Sequence, residues 1–148
     1  MPVNHNTFQE LVGDVLASLA FADARPSEAV FRWSQPGLFW SEIRLDAPHT
    51  GQVTLALPRP LAVELADDAL GGLPPSLTEA ALPDFLGELS NTLAGNLLAR
   101  LHPGKPIALG LPQTGRGPRP APAGHTFSFD VGGTSLGLTL ETAACASS

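Results

Sequence analysis

Apolar residues at positions 8, 11, 12, 15, 16 and 19 recur at helical spacing and predict an amphipathic helix over residues 7–22. Residues 29–33 (AVFRW) and 38–45 (LFWSEIRL) are rich in β-branched and aromatic types. They predict two strands separated by the turn signal Ser34-Gln35-Pro36-Gly37. Val53, Leu55 and Leu57 alternate with polar or small neighbours in a third strand that Pro58 and Pro60 end. A short helix over 60–70 closes at Gly71-Gly72. The capping-box pattern Ser76-Leu77-Thr78-Glu79 then opens a long helix from about 77 to 101, with Pro83 in its early turns and His102-Pro103-Gly104 as its stop. Segments 106–112, 125–131 and 134–141 predict three further strands, the last two joined by the hairpin signal Gly132-Gly133. Residues 112–124 carry four prolines, three glycines and two arginines, so 113–124 is expected to be a flexible loop, and 143–148 a loose tail.

The order helix, three strands, short helix, then helix, three strands suggests an internal duplication. A shift of 77 residues lays FQELVGDVLASLAFA (8–22) over FLGELSNTLAGNLLA (85–99), with Leu11 over Glu88 and Asp14 over Asn91. Only the later helix has the polar residues. On an ideal helix Asp84, Glu88, Asn91 and Gly95 fall within about 60° of one another. Leu82, Phe85, Leu86, Leu89, Leu93 and Leu97 take the opposite face. The polar stripe is therefore expected to face solvent. Asn and Gly both lower helix propensity, so placing them on one exposed stripe has a local cost that an ordinary solvated face does not need. An asparagine amide can hold a water molecule, and a glutamate one turn away can find a cation. Gly95 would let another molecule approach closely.

Composition narrows the class. A 148-residue chain with 43% hydrophobic and 15% charged residues suits a single globular domain over 1–148. A net charge of −6 provides no basic field for phosphates, so neither nucleic acid nor an anionic membrane surface is an expected partner. No run approaches the length of a transmembrane span, and the N-terminal residues lack a signal-peptide pattern. Cys145 is alone, which excludes an internal disulfide and fits a cytoplasmic setting.

The series Asp84, Glu88, Asn91 and Gly95 on one helix, with strands on either side and Pro112 lying 21 residues past Asn91, resembles the signature of the CheX/CheC family of chemotaxis phosphatases. The likeness runs from about residue 7 to 142, and the single polar helix is similar to the CheX-like branch. It implies an α+β fold, with long helices packed on an antiparallel sheet and a duplicated helix-and-three-strand half-motif. The implied activity is dephosphorylation of a CheY-like response regulator in chemotaxis or two-component signalling. Asn91 would orient the attacking water and Glu88 would pair with the regulator's lysine, with Asp84, Gly95 and Pro112 supporting or docking. The resemblance also implies a homodimer through sheet edges and a magnesium ion held by the phosphorylated receiver, with no cofactor or metal bound by this chain. The alternative from another class is a non-catalytic module of the same fold that docks a receiver or a flagellar-switch component.

Other candidate chemistry is weaker. His5, His49, His102 and His125 have no ligand-like spacing. Ser90 neighbours Asn91 but has no histidine near it in sequence to activate it. Asp130-Val131-Gly132-Gly133-Thr134 resembles a phosphate-binding turn but is read as a hairpin. Arg116 and Arg119 read as solubilising charges in the loop, or as contacts to an acidic receiver surface.

Overall fold

The computed structural model describes residues 5–20, 22–72 and 75–142. Among these residues three helices, α1 (His5–Ala20), α2 (Arg59–Leu70) and α3 (Pro75–Leu101), pack on one face of an antiparallel sheet. Its strands are β1 (Ala24–Ser27), β2 (Leu38–Ala47), β3 (Gly51–Pro58), β4 (Ala108–Leu109), β5 (Gln113–Arg116), β6 (His125–Val131) and β7 (Thr134–Thr142). The spatial order is β1-β6-β7-β3-β2, and both β4 and β5 pair with the free edge of β2. Exchanging β1, β2 and β3 for the β4–β5 pair, β6 and β7 turns this order into its own reverse. The predicted α+β class and the duplication are thus both present, with α1 and α3 as equivalent helices. No helix among the described residues is long and apolar enough to cross a membrane.

Strand alternation decides what faces the helices. Ile43 and Leu45 of β2, Val53, Leu55 and Leu57 of β3, and Leu136, Leu138 and Leu140 of β7 are buried beneath them. They meet Phe8, Leu11 and Leu16 of α1 and Leu82, Leu86, Leu89 and Leu93 of α3 in one apolar core. α2 starts with Pro60 in its first turn and ends at Gly71, whose left-handed φ of 81° only a glycine adopts cheaply.

Several expectations need correction. The AVFRW segment is not a strand; it is irregular, and β1 lies earlier, at Ala24-Arg25-Pro26-Ser27, paired with Ser128–Val131 of β6. The aromatics of that segment instead form a second cluster on the far face of the sheet, where Phe31 and Trp33 pack edge to face at 5.0 Å with Leu38, Trp40 and Ala56. Gly137 of β7 has no side chain there because Phe31 fills the space: a Cβ would lie 2.5 Å from the ring. Segment 106–112 is a strand only at Ala108–Leu109, because residues 110–112 leave the sheet as an arch.

A further correction concerns 113–124, whose first four residues are β5, with Phe39↔Arg116, Trp40↔Gly115 and Glu42↔Gln113 as partners. Two residues after it are also held to the sheet side: Gly117 N donates to Leu38 O at 2.7 Å and Arg119 N to Trp33 O at 2.9 Å. Arg119 is not a free solubilising charge. Its guanidinium lies 4.7 Å from the centre of the Trp40 ring and pairs with Glu42. α1 begins at His5 and α3 at Pro75, slightly before the residues expected, so Ser76 sits inside the first turn of α3 and not at its N-cap. The predicted tail 143–148, with Cys145, lies outside the described residues.

Candidate active site

α3 carries the polar stripe as its periodicity requires. Asp84, Glu88 and Asn91 are exposed, while Leu82, Leu86, Leu89 and Leu93 are at most 2% exposed on the opposite face. Among the described residues none hydrogen-bonds or ion-pairs with the side chains of Asp84, Glu88 or Asn91. Two carboxylates and an amide are therefore free to engage another molecule.

The arch between β4 and β5 makes the opposite wall of a shallow open depression. It is lined by Pro83, Asp84, Gly87, Glu88 and Asn91 from α3 and by Leu111, Pro112 and Thr114. Gly87 is the seat of this arrangement: a Cβ there would lie 3.3 Å from Pro112 Cβ, tighter than packing normally tolerates. At the other end of the arch, Gly110 N donates to Arg44 O at 2.8 Å. Asp84, Glu88, Asn91 and Pro112 thus come together, although Pro112 is far from the others in sequence.

Gly95 does not join them. It lies one turn beyond Asn91, and a Cβ would meet Leu109 Cδ1 at an ordinary 3.9 Å. Helix interiors favour alanine over glycine by about 0.5–1 kcal/mol. Gly95→Ala is therefore expected to raise the midpoint of thermal unfolding by roughly 1–4 °C, measured by circular dichroism. A fall would show that Leu109 cannot yield even this much.

Sequence reasoning missed the anchor of the helix. Ser90 is no nucleophile: it is fully buried, its hydroxyl 2.8 Å from that of Ser41 on β2 and 3.1 Å from the Gly87 carbonyl. Ser90 donates to Gly87 O, which leaves Ser41 to donate to Ser90. This pair fixes the rotation of α3 on the sheet at the residue preceding Asn91. The signal available in the sequence was a serine on the apolar face of the helix, facing another on the inward side of β2. Ser90→Ala strands the Ser41 hydroxyl in an apolar interior and should cost about 1–3 kcal/mol, whereas Ser41→Ala with Ser90→Ala should recover much of it. Chemical denaturation of the two single variants and the double variant measures this; a loss in the double variant equal to the sum of the two single losses would rule out the pairing.

No group of three or more His, Cys, Asp or Glu side chains among the described residues is placed to hold a metal ion. Two histidines without ligand spacing in sequence do meet in space. His49, in the turn before β3, and His102, after α3, have ring centres 4.6 Å apart. Partial burial, then His49 and Lys105, hold the His102 pKa below its ordinary value.

A family model described as chemotaxis phosphatase CheX matches residues 41–122, a span that contains α3, the arch and β5. Solved structures share the fold. The chemotaxis protein CheX of Vibrio vulnificus is 17% identical with a TM-score of 0.72, covering 93% of this chain and 95% of its own. A CheC-like superfamily protein from Shewanella sp. PV-4 is 21% identical with a TM-score of 0.71, covering 95% and 99%. The Borrelia burgdorferi CheX–CheY–BeF3–Mg2+ complex supplies a match at 14% identity and a TM-score of 0.69, covering 93% and 96%. None of the curated proteins matches the chain.

Proposed function

The chain belongs to the CheX family of chemotaxis phosphatases, and from that membership we propose that it hydrolyses the aspartyl phosphate of a CheY-like receiver domain. The observation that carries this reading is the pair Glu88 and Asn91, on successive turns of α3, exposed and without a side-chain partner among the described residues, beside the wall that Pro112 forms. A relative solved as a CheX–CheY complex supports the choice of partner.

Phosphoryl transfer asks little covalent chemistry of a protein; it asks for an in-line nucleophile and neutralised charge. An amide cannot act as a base at neutral pH, so Asn91 orients the water and does not deprotonate it. Its Oδ1 accepts a hydrogen bond from the water, whose oxygen attacks phosphorus opposite the aspartyl oxygen. The phosphorus–carboxylate bond breaks, the receiver regains its carboxylate and inorganic phosphate leaves carrying the water's oxygen and both of its protons. Glu88 pairs with the receiver's active-site lysine and fixes the register of docking. Asp84 adds negative potential next to that lysine. Magnesium, which neutralises phosphoryl charge, belongs to the receiver. The working form is assigned as a cytoplasmic homodimer paired through sheet edges.

The test is phosphate decay on the receiver domains encoded in the same genome, with and without the chain. Acceleration on at least one receiver, lost when magnesium is chelated, is expected. Unchanged decay on all of them would remove the enzymatic reading.

A further inference from the structure

Leu111 is 89% exposed, although a leucine side chain gains most from burial. It is not on a loose segment. The arch that carries it is fixed at one end by Gly110 N on Arg44 O and at the other by Pro112 against Gly87, with β4 and β5 paired to β2 on either side. Its backbone position is therefore set before any partner arrives, so little ordering entropy remains to be lost on binding. A second locally unfavourable residue stands on the same rim. Pro83 lies inside α3, where it forfeits a helical hydrogen bond, and its ring lines the depression with Leu111 and Pro112. The rim is thus divided: Pro83, Leu111 and Pro112 are apolar, while Asp84, Glu88 and Asn91 are polar, and no cationic side chain among the described residues lines it. Val30, also highly exposed, belongs to the segment between β1 and β2, whose aromatics pack on the far face of the sheet.

We propose that Leu111 is the apolar anchor of the docking surface, burying itself against an apolar patch next to the phosphorylated carboxylate and lysine of the receiver. The proposal rests on the reading of Glu88 and Asn91 given above and adds to it what sets affinity. The polar half carries chemistry and register; the apolar half supplies a non-directional attraction that water cannot match. Receivers with a charged residue at the matching place are rejected, because Leu111 would desolvate that charge without pairing it.

The experiment compares the wild-type chain with Leu111→Ala, Leu111→Met and Asn91→Ala on the receiver whose phosphate it removes. KM and kcat come from phosphate decay, and Kd from calorimetry on the receiver charged with beryllofluoride and magnesium. Leu111→Ala should raise KM and Kd about 10- to 100-fold, the loss of one buried leucine, with kcat within about twofold and unchanged thermal melting. Leu111→Met, similar in volume, should restore most of the affinity. Unchanged KM and Kd in Leu111→Ala would overturn the proposal, as would a fall in kcat alone. Undiminished turnover in Asn91→Ala would instead overturn the catalytic reading, and Kd would still judge Leu111. Absence of both hydrolysis and binding in the wild-type chain would overturn the two together.

Discussion

Asn91→Ala is expected to lower turnover of the phosphorylated receiver by about 30- to 1000-fold while leaving its binding nearly intact. The magnitude follows from removing one positioned polar group, on the order of 2–4 kcal/mol of transition-state stabilisation. The loss should appear in kcat, because the oriented water matters in the transition state and contributes little to the ground-state complex. Glu88→Ala should behave differently. Its assigned partner is a lysine already present in the complex, so KM should rise together with the fall in kcat. Neither substitution should unfold the chain, since both side chains are exposed and have no partner among the described residues. Phosphate decay at saturating and subsaturating concentrations of each variant separates the two patterns. Wild-type turnover by Asn91→Ala would make this surface a docking module without catalysis.

The second large effect is on stability, at a residue remote from α3. Gly137→Ala is expected to destabilise the fold by about 1–3 kcal/mol through overpacking, lowering the melting midpoint by roughly 2–12 °C. The new Cβ would fall 2.5 Å from two atoms of the Phe31 ring, and Phe31 is 3% exposed and braced edge-on against Trp33. The ring cannot swing outward without dismantling the cluster on the far face. Gly137→Ala combined with Phe31→Leu, which makes room, should lose less than the two single changes together. Thermal and denaturant unfolding of the three variants checks this, and strict additivity would show that the ring has somewhere to go. Gly95→Ala is the internal contrast, the same chemical change where the new Cβ makes only an ordinary contact with Leu109.

These cases show where sequence reasoning ends. The stripe Asp84, Glu88, Asn91 was legible because helical periodicity is local: the leucines of α3 fix which way the polar residues point. β2, β3, β6 and β7 were legible by alternation and by the Gly132-Gly133 turn, whose φ values of 60° and 89° suit a tight hairpin. β1 was not, since Ala-Arg-Pro-Ser carries no strand signal and is extended only because β6 pairs with it. Phe31 and Trp33 look like strand residues, yet their burial comes from plugging a sheet that other segments build. Gly115 looks like loop composition, but a Cβ there would lie within 2.2 Å of the Trp40 ring, so the glycine makes room for an aromatic inside a strand pair. Gly87 was passed over for a related reason: what it meets, Pro112, comes from another element. Local pattern reports which face a residue takes, and it does not report what arrives there from elsewhere in the chain.

The strand order has a consequence for how the chain comes into being. β1 is made early, but its partner β6 lies more than a hundred residues later, and β5 must reach back to β2. At about 5–20 residues per second on a ribosome, β1 waits on the order of 5–20 s for its neighbour. Each half of the duplication exports one strand to the other, so neither half can close its own sheet when made alone. A nascent first half must keep its apolar face covered without a finished fold, and contacts this distant in sequence make the closing step slow. A chain halted before residue 125 would hold β1 without the strand that gives it a place.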